Sequence, residues 1–177
     1  MKYILFFCLL SLLLTGCRET PQTPEKTATT KGKYFFDFDE AIYYVTDIST
    51  DELYKMAQSE NNDNRLLRVV YGNTPKNISD TGFLSFIDSV GYTKKIISTD
   101  KIAALKEILK QKDCNEISST SCTRFYRDIF VLKKKGKMTG VVKLCYSCGD
   151  VELIGAKVDT GCFGKNNELA QLKKIVK

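Results

Sequence analysis

The seven cysteines are the residues of this 177-residue chain whose type and spacing could do chemistry. Cys8 lies inside an apolar N-terminal run and Cys17 directly follows that run. Five more follow residue 113, and in an exported domain such cysteines form disulfides by default. Five cysteines allow at most two bridges within the chain and leave one thiol over, or paired with another molecule. The five candidates are Cys114, Cys122, Cys145, Cys148 and Cys162.

Cys145 and Cys148 form a CxxC motif followed by Gly149, and they could also bridge each other. At a hairpin turn this motif can direct two thiolates at one zinc ion, but a tetrahedral site needs a second pair of ligands. The motif could instead exchange thiols and disulfides. Such thiols are activated at the N-terminus of a helix, but the sequence predicts a turn and a strand after Cys148. Cys114 and Cys122 flank a polar loop that a bridge could fasten. Structural disulfides are the favoured interpretation.

The absence of histidine excludes many kinds of catalytic site. Ser-His-Asp and Cys-His catalysis, histidine-ligated zinc and haem attachment through CxxCH all require it. The chain also lacks GxGxxG, GxxxxGK[ST] and GxSxG, so neither a nucleotide site nor a hydrolase elbow is predicted. Asp37 and Asp39 have the spacing of a solvated strand edge rather than of a glycosidase or calcium site. We therefore assign no catalytic residue and predict no cofactor.

The first seventeen residues have the pattern of an export signal. Lys2 precedes an uncharged apolar run, and small residues lead from this run to Cys17. The run is too short for a transmembrane helix, which needs about 20 apolar residues. Leu14-Thr15-Gly16-Cys17 resembles the lipobox of bacterial lipoproteins, in which the cysteine receives a diacylglycerol and the preceding segment is removed. The resemblance implies a signal peptide over residues 1–16 and lipidation of Cys17.

The resemblance also implies a location in the bacterial cell envelope. In lipoproteins of this type the residue after the cysteine influences sorting. Arg18 is not the aspartate that commonly retains such proteins in the inner membrane of Gram-negative cells. We therefore expect an outer-membrane lipoprotein whose domain faces the periplasm or the exterior. The alternatives are an ordinary signal peptide cleaved elsewhere and an N-terminal transmembrane anchor.

The remaining chain divides into a stalk and one domain. Residues 17–33 comprise the lipidated cysteine and a segment rich in Thr, Pro, Lys and Glu, which is predicted to be a flexible tether. Residues 34–177 have the length of a single domain. Without the five basic and two acidic residues of positions 1–33, the 27 basic and 21 acidic residues fall to 22 and 19. This slight surplus, together with export, argues against nucleic-acid binding.

The first part of the domain is predicted to alternate strands and helices. The strands are indicated by aromatic and β-branched runs, and the helices by caps and by apolar residues at helical spacing. Ser49 to Glu52, for example, has the pattern of a capping box. The predicted strands are 34–38, 41–45, 65–71 and 93–97, and the predicted helices begin at Ser49, at Ser79 or Asp80, and at Thr99 or Asp100.

The second part is predicted to be an antiparallel meander followed by a helix. Three apolar runs with short connections predict strands over 125–132, 139–146 and 151–158, and periodicity predicts a helix over 167–176. The lysine-rich segment 133–137 is predicted to be a solvated hairpin tip. The fold class is therefore α+β, an antiparallel β-sheet packed against about four helices on one side.

The absence of catalytic patterns favours a membrane-anchored lipoprotein that acts as a non-catalytic binding or structural module. Its expected partners are the membrane, through the lipid, and a protein of the envelope; the oligomeric state is not indicated. One alternative is an envelope thiol–disulfide oxidoreductase that uses Cys145 and Cys148. The other is a structural zinc protein with these two cysteines among its ligands.

Overall fold

A five-stranded antiparallel sheet organises the part of the chain that the computed structural model describes, residues 32–59, 65–72, 74–114 and 121–177. The predicted signal peptide and nearly all of the predicted stalk lie outside these ranges. The strands are β1 Glu40–Val45, β2 Thr93–Ile96, β3 Asp128–Lys134, β4 Lys137–Cys145 and β5 Asp150–Ile154. The helices are α1 Thr50–Gln58, α2 Arg65–Val70, α3 Phe83–Ile87, α4 Thr99–Ile108 and α5 Glu168–Ile175.

The strand order is β2-β1-β3-β4-β5, and each neighbouring pair is antiparallel. The predicted meander of β3, β4 and β5 is confirmed, with Lys135 and Gly136 in the turn between β3 and β4. The third of these strands ends at Ile154 rather than at residue 158. The α+β class is confirmed as well.

Helices cover both faces of the sheet, so the prediction that they lie on one side is wrong. The central strand β3 is the clearest case, because its residues alternate between two separate cores. Ile129 and Val131 belong to the core under α1, α2 and α3, whereas Phe130 and Leu132 belong to the core under α4 and α5. A continuous apolar run of this kind is typical of a strand that is buried on both faces.

Two segments that were predicted as strands have other structures. Residues 65–71 contain the helix α2, in which Arg65 and Arg68 lie one turn apart and place their guanidinium groups 5.9 and 5.8 Å from the ring centre of Phe86. This packing and the burial of Val69 and Val70 override the strand propensity of the valines. Residues 34–38 form an irregular segment, and its phenylalanines fill the core under α4 and α5.

A side-chain cap is present at the start of α1, whereas the N-caps of α3, α4 and α5 make no side-chain cap hydrogen bond. The N-cap of α3 is Gly82 rather than Ser79 or Asp80. The capping box of α1 is confirmed, because Glu52 N donates to Ser49 Oγ and Ser49 N donates to the Glu52 carboxylate. The N-cap of α4 is Ser98 rather than Thr99 or Asp100. The helix α3 is shorter than its apolar periodicity predicts and ends at Ile87. None of the five helices in the described ranges has the length and hydropathy of a membrane span.

Gly140→Ala tests the contact between the irregular segment 34–38 and the sheet. A Cβ atom at Gly140 would collide with the ring of Phe36, which packs directly on the backbone of β4. We expect a loss of about 1–3 kcal/mol in the free energy of unfolding, measured by urea denaturation. Gly82→Ala is the matched control, because a Cβ there makes only ordinary contact and its backbone is helical. Equal stability of the two variants would contradict the packing.

Candidate functional site

Four of the five domain cysteines form two disulfides. Cys114 is bonded to Cys162 and Cys122 to Cys148, with Cα–Cα distances of 5.4 and 5.8 Å. Cys145 is a buried thiol, and its sulfur accepts a hydrogen bond from the backbone N–H of Phe125 at 3.4 Å. The expectation of two bridges and one remaining cysteine therefore agrees with the structure, which also settles the pairing.

The two cysteines of the CxxC motif are not bonded to each other. Cys148 lies in the turn between β4 and β5 and fastens it to the segment before β3, whereas Cys145 ends β4. While the bridge to Cys122 is intact, Cys148 has no thiolate to offer a zinc ion. In the described part of the chain, no group of three or more cysteine or carboxylate side chains is arranged to hold a metal. The redox and zinc alternatives stay predictions.

The Cys122–Cys148 bridge borders a polar pocket of about 340 Å³, here called the Gly72 pocket. It opens where the end of α2 meets the segment before β3 and the edge strand β5. Its lining consists of Tyr71, Gly72, Cys122, Thr123, Arg124, Tyr126 and Glu152. A pocket of this volume is at the small end of the range for ligand sites, so it suits a small molecule or one side chain of a partner.

A fully buried lysine supports the floor of the Gly72 pocket. Lys143 lies in β4 opposite Glu152 of β5, and its side chain has no exposed surface. Its ammonium group lies 3.1 Å from the Glu152 carboxylate, donates to the carbonyl oxygen of Gly72 at 3.1 Å, and lies 5.7 Å from the ring centre of Tyr126. Burial lowers the pKa of Lys143, and the carboxylate of Glu152 opposes this effect. The lysine thus fixes Glu152 and the turn that follows α2.

Gly72 is required at this position for two reasons. Its φ of +86° is in the left-handed region, which side chains disfavour. A Cβ atom would also lie 2.9 Å from the Tyr126 ring and 3.3 Å from the Glu152 carboxylate. The missing side chain therefore allows the ring, the carboxylate and the carbonyl group of residue 72 to meet around the ammonium of Lys143.

A second ion pair lies beside the first on β5. Arg124 is bonded through Nε to the carboxylate of Asp150, and 57% of its side chain is exposed. Asp150 and Glu152 share one face of β5, because strand residues two positions apart point the same way. Their carboxylates and the burial of the ring raise the pKa of Tyr126 to about 12, burial being the larger effect. The phenol of Tyr126 is therefore neutral at pH 7.

These groups can bind a ligand, but they do not form a nucleophilic site. The ammonium of Lys143 is not part of the pocket lining, because Gly72, Tyr126 and Glu152 separate it from the opening. The sulfur of Cys122 is held in a disulfide, and the phenol of Tyr126 is protonated. What the pocket presents is a fixed guanidinium, a fixed carboxylate and two tyrosine rings. Such a set of groups is suited to recognising charge and shape.

Lys143, Glu152, Gly72 and Arg124 were not among the candidate residues from the sequence. One signal was available: Lys143 stands inside the apolar run Val141-Val142-Lys143-Leu144-Cys145, where a buried charge requires a partner. The partner could not be found without the register of β4 and β5. Gly72 and Arg124 reach the site from distant parts of the chain.

Comparison with known proteins identifies no relative of this chain. No protein-family model, curated protein or solved structure matches the chain. The N-terminal sequence and the geometry of the pocket are therefore the features that bear on function.

Lys143→Met and Glu152→Gln test how the buried pair contributes to stability. Methionine removes the buried charge and leaves Glu152, whose side chain is 37% exposed, in contact with water. We expect Lys143→Met to change the free energy of unfolding by less than about 1 kcal/mol, because the fully buried charge is removed and the carboxylate that remains is open to water. Glu152→Gln leaves the ammonium of Lys143 without a counter-charge. It should lower the free energy of unfolding by about 2 kcal/mol, which is less than the loss expected when a fully buried pair is broken.

Urea denaturation at pH 7 measures both variants, with Lys94→Met as the matched control at an exposed ion pair with Asp88. A larger loss of stability for Lys143→Met than for Glu152→Gln would contradict this account.

The stability difference between the wild type and Lys143→Met should also depend on pH. The lowered pKa of Lys143 means that the unfolded chain holds this proton more tightly. The stability of the wild type relative to Lys143→Met should therefore rise as the pH increases towards 10.5.

Peptide mapping without reductant tests the cysteine pairing. We expect linked peptides for Cys114–Cys162 and for Cys122–Cys148. Cys145 should react with an alkylating reagent only after unfolding, since its side chain is buried. A Cys145–Cys148 peptide, or alkylation of Cys145 in the folded protein, would contradict the pairing.

Proposed function

We propose that this chain is a lipoprotein of the bacterial cell envelope whose domain is a non-catalytic binding module. The lipid is attached at Cys17, and the Gly72 pocket is the binding site. The observation that carries the binding role is the pocket itself, in which Arg124 and Glu152 are held by ionic partners, one of them the buried Lys143. Fixed charges of this kind favour recognition over covalent chemistry.

The disulfides support export. Structural disulfides form and persist in oxidising compartments such as the periplasm and the cell surface. The domain contains two, Cys114–Cys162 and Cys122–Cys148, and both fasten segments outside the regular helices and strands. This observation is independent of the N-terminal pattern that resembles a lipobox, and both point to the same side of the inner membrane.

The stalk sets how far the domain can reach from the membrane. Fourteen residues separate Cys17 from Gly32, the first described residue, and they span at most about 50 Å when extended. Gly32 N donates to the carbonyl oxygen of Gln111, and Tyr34 forms a β-bridge with Lys110. The tether therefore joins the domain just beyond the end of α4. The proposed location is the outer membrane, with the domain on the periplasmic or the surface face.

A thiol–disulfide oxidoreductase is the alternative from another class. The observation that favours it is the exposure of Cys122, whose disulfide borders the Gly72 pocket where a substrate thiol can approach. Mild reductant in the peptide-mapping experiment separates the two functions. Selective opening of Cys122–Cys148 favours the oxidoreductase, and resistance of both bridges favours the binding module.

Cys17→Ser tests the lipid anchor. In the native host, or in a Gram-negative host, the wild-type chain should incorporate an alkyne-labelled fatty acid and lose residues 1–16, as measured by in-gel fluorescence and intact mass. Cys17→Ser should incorporate no label. Cys8→Ser is the matched control and should behave as the wild type, because Cys8 lies in the segment that is removed. Labelling of Cys17→Ser, or an unlabelled wild type, would refute the anchor.

A further inference from the structure

We infer that the Gly72 pocket binds a free α-amino acid, with the ligand carboxylate on Arg124 and the ligand ammonium on Glu152. This inference rests on the proposed binding function and names its ligand class. It is carried by two opposite charges that the fold fixes side by side in one small pocket.

Arg124 provides a pre-oriented donor for a carboxylate. A guanidinium has five N–H donors, and the Nε–H of Arg124 is used by Asp150. Asp150 is itself held, because its other carboxylate oxygen accepts a hydrogen bond from Val151 N at 2.9 Å. The four donors on the two terminal nitrogens can then form the forked pair of hydrogen bonds that carboxylates prefer.

Glu152 provides the acceptor for an ammonium group. One of its carboxylate oxygens lies 3.1 Å from the ammonium of Lys143, which holds the side chain in place. The second oxygen retains its acceptor capacity, and the residue lines the pocket. The ligand ammonium would thus find a charged acceptor whose orientation is already set by a buried lysine.

The spacing of the two ion pairs fits the size of an amino acid. Asp150 and Glu152 are two residues apart on one face of β5, so their Cα atoms lie about 7 Å from each other. Charge-assisted hydrogen bonds are about 2.8 Å long, and the ammonium and carboxylate of an α-amino acid are joined through a single carbon atom. One such molecule can therefore reach both Glu152 and Arg124, the partner of Asp150, at the same time.

The tyrosine rings of the Gly72 pocket and the charges around it further limit which ligands it can bind. The rings of Tyr71 and Tyr126 offer apolar surface to a ligand side chain. A simple anion would be repelled by Asp150 and Glu152, and a simple cation would be repelled by Arg124. A molecule with both charges satisfies both sides of the pocket, and the volume of about 340 Å³ limits it to a small one.

Isothermal titration of the full-length protein in detergent tests this inference. The probes are L-alanine, L-leucine and L-phenylalanine, and the blocked forms are N-acetyl-L-phenylalanine and L-phenylalaninamide. We expect saturable binding of at least one free amino acid and at least about tenfold weaker binding of each blocked form of phenylalanine relative to the free form. The blocked forms remove the ammonium and the carboxylate charge one at a time.

Two variants connect this binding to the pocket. Arg124→Met should weaken the binding of the free amino acid about tenfold or more and leave the affinity for phenylalaninamide unchanged. Thr123→Tyr should block the pocket without removing a charge, and it provides the test if Arg124→Met does not fold. Arg68→Met is the matched control, since Arg68 lies outside the Gly72 pocket and packs on Phe86. Its affinity should equal that of the wild type.

Several results would overturn the inference. One is the absence of binding of all three amino acids at about 10 mM in a folded protein with both disulfides intact. Another is equal affinity for free and blocked phenylalanine, and a third is unchanged affinity in both pocket variants. These results would leave the lipid anchor at Cys17 unaffected, because that part of the proposed function is tested by fatty-acid labelling. Failure of labelling would in turn leave the measured ligand affinity unaffected.

Discussion

The burial of Lys143 is the constraint on which the candidate site depends. Because helices cover both faces of the sheet, a charge in the middle of β4 has no access to water and must find oxygen partners nearby. Glu152 supplies one partner across the β4–β5 register, and the carbonyl group of Gly72 supplies the other from the end of α2. These partners line a pocket that holds fixed charges, so the solution to a problem of burial also creates a surface suited to recognition.

The two disulfides fasten segments that lie outside the regular helices and strands. Cys114–Cys162 joins the segment after α4 to the loop before α5, and Cys122–Cys148 joins the segment before β3 to the β4–β5 turn. Near the first bridge, the buried carboxylate of Glu168 pairs with Lys112 at 3.2 Å and accepts a hydrogen bond from Asn166 N. Each bridge lowers the conformational entropy of the unfolded chain, and this typically favours the folded state by about 2–4 kcal/mol. The second bridge also holds the wall of the Gly72 pocket in place.

Two independent features of the chain bear on its function. The N-terminal pattern concerns the location of the protein, and the pocket concerns what the domain can bind there. In the proposed arrangement, a tether of this length would keep the domain within about 50 Å of the membrane. In the proposed site, Arg124 and Glu152 would provide selectivity by accepting two opposite charges, and either charge alone would be disfavoured.

Local patterns in the sequence determined the α+β class, the β3–β4–β5 meander and several helices, because caps and periodicity act over a few residues, as at Ser49 and Glu52. They also limited the domain to two bridges and one thiol, since five cysteines form no more pairs. Only the tertiary structure decided the pairing of those cysteines and the helical state of residues 65–70, which depends on contacts with Phe86. It alone also brought Gly72, Arg124, Lys143 and Glu152 together, because the strand register and the left-handed turn that join them are long-range and steric properties.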